Sequence, residues 1–180
     1  IYFLGKFKKG INKRSNTITQ VLDLLRKKKL IQNQTFRIRI KKNIPHGSGL
    51  GGGSSNAASL LNFFNSKMNL HLSKKNLKKL AIKIGFDVPV SLEKKNSLLT
   101  GKNGEIARLN NKFNFNLLIV YPNLVCSTKK IYSKNKIIGL LKFRSYASLK
   151  NKKKLIEILM KENNDLEKTV IKIYPKIKEL

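Results

Sequence analysis

The stretch Lys42-Asn43-Ile44-Pro45-His46-Gly47-Ser48-Gly49-Leu50-Gly51-Gly52-Gly53-Ser54-Ser55-Asn56-Ala57-Ala58 decides the reading of this chain. Five glycines fall between positions 47 and 53, two hydroxyls follow, and a run of good helix formers begins. Without side chains in the way, such a loop lets backbone N–H groups approach an anion closely. The helix that follows directs its positive end at the same place. A polyphosphate is the natural ligand. A flexible linker needs neither hydroxyls at a helix start nor a strand running straight into it.

Three known loop types fail on particular residues. A Walker loop ends in Gly-Lys-Ser/Thr, and no Lys occurs from Pro45 to Ser66. The dinucleotide pattern is met literally by Gly47, Gly49 and Gly52, but it needs an acidic residue about 20 positions on. Between Asp23 and Asp87 the chain has no Asp or Glu. The protein-kinase glycine loop lies in a strand hairpin, whereas a helix follows here.

Flanking periodicity places the loop between a strand and a helix. Residues 35–40 alternate Phe36, Ile38 and Ile40 against Arg37 and Arg39, the pattern of a half-buried strand. Ala57, Leu60, Leu61, Phe64 and Met68 follow helical spacing after the loop. Upstream, residues 1–7 suit a short strand, and Asn16 suits the N-cap of a helix carrying Ile18, Val21, Leu22, Leu24 and Leu25. Downstream, Ser73 caps a helix bearing Leu77, Leu80, Ala81 and Ile84, which Gly85 ends. Pro89 is placed to open another helical turn, with Asp87 as an ordinary cap before it. Residues 97–100 and the turn at 101–105 read as a hairpin region. The apolar run at 115–121 reads as a buried strand opening a second subdomain. Residues 134–148 are basic and give no clear element; helices are expected around Leu155, Ile156, Leu159 and Met160 and from Asn164 toward Val170 and Tyr174. The fold class is α+β.

The 180 residues suffice for one domain, or for one and part of another. Apolar residues make up 41% of the chain, enough for a packed core. The single Cys126 excludes an internal disulfide and, with no His/Cys cluster, points away from a bound structural metal. It also favours a reducing, cytoplasmic setting. No apolar run reaches the roughly 18 residues of a membrane span, and lysines interrupt the start that a signal peptide would need. The net charge of +30 raises a nucleic-acid reading. Its lysines spread through nearly every segment, and the abundance of Lys, Asn and Ile fits an A/T-rich genome, so only non-specific attraction to nucleic acid is expected.

Taken whole, P-x-G-x-G-L-G-G-G-S-S-N-A-A closely resembles the phosphate loop of the GHMP kinases, the galactokinase, homoserine, mevalonate and phosphomevalonate kinase superfamily. Gly85-Phe86-Asp87-Val88-Pro89 resembles that family's G-A-D-V-P segment, and Lys102-Asn103-Gly104-Glu105-Ile106 its G-x-G-E-I segment. Tyr121-Pro122 and Ser127-Thr128 continue the likeness. The longer G-L-G-G-G-S-S-N-A-A spelling is similar to the branch acting on 4-diphosphocytidyl-2-C-methyl-D-erythritol in the non-mevalonate isoprenoid route. The resemblance implies a two-subdomain fold with a ribosomal-protein-like first domain: residues 1–112 as the ATP-binding domain and 113–180 as the start of the second. It implies ATP and Mg2+ as cofactors. Pro45, His46, Gly47, Ser48, Gly49, Leu50, Gly51, Gly52, Gly53, Ser54 and Ser55 would hold the phosphates, and Ser54 or Ser55 would cap the helix, touch a phosphate or ligate Mg2+. Asp87 would be the catalytic residue, accepting or orienting the proton of the acceptor hydroxyl, and Asn16 and Lys42 would lie near the adenine. Family members begin with a strand carrying a Lys and a Gly-Tyr-His segment and end with a second glycine loop, so a fragment incomplete at both termini is expected. The alternatives are another small-molecule kinase of the superfamily, or a basic nucleic-acid-binding module.

Overall fold

The computed structural model describes residues 1–100, 104–110, 113–135 and 151–179. Two compact units result, Ile1–Asn110 and Asn111–Leu180. Helices and short strands mix throughout, so the chain is α+β.

In the first unit, strand β1 (Tyr2–Leu4) pairs in parallel with β2 (Arg39–Lys41), Phe3 facing Ile40 across the ladder. Parallel neighbours need a crossover, and helix α1 (Thr17–Lys27) lies in it. Asn16 caps α1 as expected: its Oδ1 accepts from the Ile18 and Thr19 amides, while Thr19 Oγ1 accepts from the Asn16 amide. Ile18, Val21, Leu22 and Leu25 form its buried stripe. The strand expected over residues 35–40 is shorter and later. Phe36, Ile38 and Ile40 are half-buried and the arginines exposed, as the alternation requires, but the ladder covers 39–41 because β1 offers only three residues to pair.

Helix α2 (Gly52–Lys67) runs from the glycine loop into the centre of the core. Ala57, Ala58, Leu61 and Phe64 are buried on it. Phe64 meets Phe36 edge-to-face at 5.0 Å between ring centroids. Small residues at 57 and 58 let α1 pack closely, its Val21 and Leu25 fully buried beside them. Helix α3 (Lys74–Ile84) adds Leu77, Leu80 and Ala81; Ser73 Oγ caps it, accepting from the Asn76 amide. Gly85 ends α3 in an extended conformation. A 3-10 turn (Val90–Leu92) follows, then the hairpin of β3 (Ser97–Thr100) and β4 (Glu105–Arg108), antiparallel with Ser97 opposite Arg108. The connection at 101–103 lies outside the described residues.

The second unit carries helices α4 (Thr128–Lys134), α5 (Lys152–Lys161) and α6 (Glu167–Ile173) and a closing 3-10 segment (Pro175–Glu179). Ser127 caps α4, a start the sequence reading missed. Most of the basic segment 134–148 lies outside the described residues. The buried strand expected at 115–121 is absent: no strand is assigned there, and Leu117 and Leu118 are 80% and 91% exposed. An apolar run states a preference for burial. A buried strand also needs partners for its backbone, and no described strand lies against this run. Among the described residues, no helix is long and apolar enough to cross a membrane.

Candidate phosphate site

The loop between β2 and α2 is built by alternating left-handed glycines. Gly47, Gly49 and Gly51 have φ of 67°, 77° and 68°, a region that side chains strain to enter. Ser48 Oγ donates to the Pro45 carbonyl at 2.8 Å, fixing the first turn. The His46 ring packs where a Cβ on Gly10 would stand, 3.1 Å from its Cε1. Leu50 is exposed.

Helix α2 begins earlier than the hydroxyls. Its N-cap is Gly51, without a side-chain cap, and the Ser55 amide makes the first helical bond to the Gly51 carbonyl at 2.9 Å. Ser54 and Ser55 therefore sit inside the first turn rather than capping it, which corrects one role expected for them. Their hydroxyls make no hydrogen bond among the described residues. The amides of Gly52, Gly53 and Ser54 likewise meet no acceptor among the described residues. Three free N–H groups and two free hydroxyls thus cluster at the positive end of a buried helix.

Lys42 adds a charge to this end. It is 7% exposed, and its Nζ lies 3.7 Å from the point a Cβ on Gly52 would occupy. Its backbone is locked to β1: the Lys42 amide donates to the Leu4 carbonyl at 2.7 Å and its carbonyl accepts from the Phe7 amide at 3.2 Å. Gly5 is bare because a Cβ there would strike the Lys42 carbonyl oxygen at 2.8 Å. No carboxylate or other acceptor reaches the ammonium among the described residues, and burial pushes its pKa below the usual lysine value. Gly52 also takes on a different meaning. A Cβ there would point at Ile44 and Lys42, 3.5 Å and 3.7 Å away, so its bareness makes room for the lysine. The sequence offered no signal for this, since Lys42 is one of many lysines.

The start of α1 touches the start of α2. Thr17 Oγ1 donates to the Gly53 carbonyl at 3.0 Å, and its methyl lies 3.5 Å from a Cβ built on Gly53. The side chain of Asn16 is fully used nearby, with Nδ2 donating to the carbonyls of Asn12 and Lys13. Asn16 therefore fixes the α1 start and through Thr17 the first turn of α2.

Asp87 stands on the turn after α3, exposed, between half-buried Gly85 and fully buried Val88. The sequence offered an N-cap role for it. The turn that follows has Pro89 as its N-cap position, with no side-chain cap. The Asp87 backbone carbonyl accepts from Ser91, while its carboxylate meets neither donor nor cation among the described residues. Asn62 of α2 donates to the Leu92 carbonyl at 2.9 Å, tying this turn to the helix that bears the glycine loop. No group of three or more metal-ligating side chains occurs among the described residues.

Residues 16–95 match the family described as GHMP kinases N terminal domain. The chain is 41% identical over its whole length to a 4-diphosphocytidyl-2-C-methyl-D-erythritol kinase of Pelagibacter ubique, covering 62% of that protein. Relatives of the same name in Sulfurihydrogenibium sp. and Petrotoga mobilis are 37% and 34% identical over 81% and 92% of the chain, which covers 54% and 65% of them. The chain thus spans less than two thirds of the length of these relatives.

Proposed function

We propose that the chain, whose residues 16–95 match the GHMP kinases N terminal domain, binds ATP at the glycine loop and transfers its terminal phosphoryl group to the 2-hydroxyl of 4-diphosphocytidyl-2-C-methyl-D-erythritol. The observation that carries this reading is the cluster of free donors at the start of α2 beside the unpaired Lys42 ammonium. Two positive features held together without a counter-charge call for an anion with several negative oxygens. Residues 1–112 form the nucleotide-binding domain in this reading, and residues 113–180 belong to the second domain of the kinase fold.

Each residue then has a role. Residues 45–53 shape the cradle, and the amides of Gly52, Gly53 and Ser54 donate to phosphate oxygens. Lys42 neutralises charge on the phosphates. Asn16 acts by fixing the α1 start, next to the nucleotide. Mg2+ suits this donor set: Ser54 or Ser55 would supply one hard hydroxyl oxygen to hold it. Bound there, it would neutralise charge on the nucleotide. Asp87, with a carboxylate that meets no partner among the described residues, accepts the proton of the attacking alcohol. A tertiary hydroxyl is crowded and weakly acidic, so orientation by a fixed carboxylate has a clear use. A cytoplasmic location goes with this reading.

The test is ATP-dependent phosphorylation by the native protein across a panel of alcohol acceptors. Asp87→Asn should lower turnover about 100-fold or more while nucleotide affinity holds, the usual scale for a general base. Turnover near the parent value removes Asp87 from the chemistry, and a preference for another alcohol overturns the acceptor.

A further inference from the structure

We propose that Arg108 is a positioning residue for Asp87, acting through the turn that carries it. The proposal rests on the reading of Asp87 as proton acceptor. Arg108 ends β4, opposite Ser97 of β3. Its guanidinium makes a fork around the turn that follows Asp87. Nη2 donates to the Pro89 carbonyl and Nη1 to the Val90 carbonyl, each at 2.7 Å, and Nη1 also donates to Ser97 Oγ at 2.7 Å. Nε faces Glu93 Oε1 at 3.6 Å, on the far side of the same turn.

The arrangement follows from geometry. The Pro89 carbonyl accepts the Leu92 amide at 3.3 Å and keeps a second lone pair, the Val90 carbonyl has no backbone partner among the described residues, and the two, adjacent in sequence, converge on one planar group. Arginine can donate to both at once from a rigid fork, which a lysine cannot. Asn62 of α2 holds the Leu92 carbonyl at the end of the same turn. The turn is thus clamped between the hairpin and α2, while Val88 and Pro89 are anchored in the core. Asp87 projects from the N-terminal edge of this clamped turn. Its carboxylate has no partner of its own among the described residues, so its place is set by the backbone under it. A carboxylate that must meet a hydroxyl within hydrogen-bond reach is sensitive to small displacements of that backbone.

The experiment compares Arg108→Gln, Arg108→Lys, Asp87→Asn and the Arg108→Gln/Asp87→Asn double variant in the native protein, with ATP and 4-diphosphocytidyl-2-C-methyl-D-erythritol. Arg108→Gln should lower kcat by about 10- to 100-fold, the cost of misplacing a reacting group by about 1 Å, with KM for ATP within about twofold of the parent. Arg108→Lys keeps charge and stem and guards against loss of folding; it should lose kcat by a smaller factor, again at constant KM. The double variant should be no slower than Asp87→Asn alone, because Arg108 acts only through that carboxylate. Arg108→Lys with parent kcat overturns the proposal, as does a double variant slower than Asp87→Asn by the full Arg108→Gln factor. Parent turnover in Asp87→Asn sinks the proton-acceptor reading itself, and the positioning role falls with it.

Discussion

Replacing Gly51 tests whether the glycine loop is held in the conformation described. Gly51 is the N-cap of α2 with φ 68° and ψ 10°, in the left-handed region. A Cβ built on it meets nothing within 4 Å, so substitution brings no clash and the penalty is backbone strain alone. An L-residue other than glycine loses about 1–2 kcal/mol in this region. Alanine recovers about 0.4–1 kcal/mol by restricting the unfolded chain. The net cost of Gly51→Ala is therefore about 1 kcal/mol, which lowers Tm by about 4–8 °C in a unit of this size. Asparagine tolerates the left-handed region through local hydrogen bonds of its side chain. Gly51→Asn should then melt closer to the parent than Gly51→Ala, although its side chain is larger. Thermal melts of the three proteins, followed by helical circular dichroism at one protein concentration, decide it. Gly51→Ala melting with the parent would refute the left-handed start of α2. Equal losses in both variants would show that bulk, rather than handedness, sets the penalty.

Lys42→Met should raise the melting temperature of the nucleotide-free protein at neutral pH and weaken ATP binding at the same time, a pairing that thermal shift with and without ATP reads directly. The pH dependence has a fixed sign. Burial lowers the pKa of Lys42 in the folded state below its unfolded value of 10.5, so the unfolded chain holds this proton more tightly. The destabilisation is fully present below the folded pKa and disappears as pH rises toward 10.5; the parent should therefore gain on Lys42→Met over that alkaline window, and a stability gap constant with pH would refute it. Phe64→Ala should cost about 3–5 kcal/mol in urea denaturation, since the ring is 1% exposed and packed edge-to-face on Phe36, while loss of half-exposed Phe63 should cost far less. A loss below about 1 kcal/mol would mean that Phe64 is not central to the core.

What was legible in the sequence was local. Asn16, Ser73 and Gly85 marked helix limits because capping chemistry lies within three or four residues of each terminus. The glycine loop announced itself because left-handed backbone and close approach require that residue type at adjacent positions. What failed involved distance along the chain. The extent of β2 was set by the three residues of β1, nearly forty positions away, and the run at 115–121 carried no information about whether a partner strand would meet it. Within the site, Ser54 and Ser55 lay close enough to a helix start to suggest capping, but the glycine before them took the cap position. Arg108, and the burial of Lys42 (a residue expected near the adenine), were hidden for a different reason. In a chain with 39 Lys and Arg, a single cation is background until its surroundings are known.

Charge scarcity gives those surroundings their meaning. Nine Asp and Glu face 39 Lys and Arg, so most cations in this chain can have no carboxylate of their own. Several turn instead to backbone carbonyls and rings. Arg26 donates to the Gln34 carbonyl at 3.2 Å, and Lys152 to Asn114 at 2.7 Å while lying over the Phe115 ring; Arg108 faces Glu93 and adds the Pro89 and Val90 carbonyls. Most of the remaining lysines are exposed and solvated, where lack of a partner costs little. Lys42 belongs to neither group: it is buried, and no carbonyl or ring receives its ammonium among the described residues. A buried cation in that state is retained at a loss of stability unless an anion arrives, and its Nζ lies 3.7 Å from a Cβ built on Gly52, the first residue of the helix whose leading amides are free among the described residues. The same reasoning separates specific from general electrostatics. Salt should weaken attraction of the protein as a whole to any polyanion, whereas binding at the loop, drawing on the largely buried Lys42, should resist salt better.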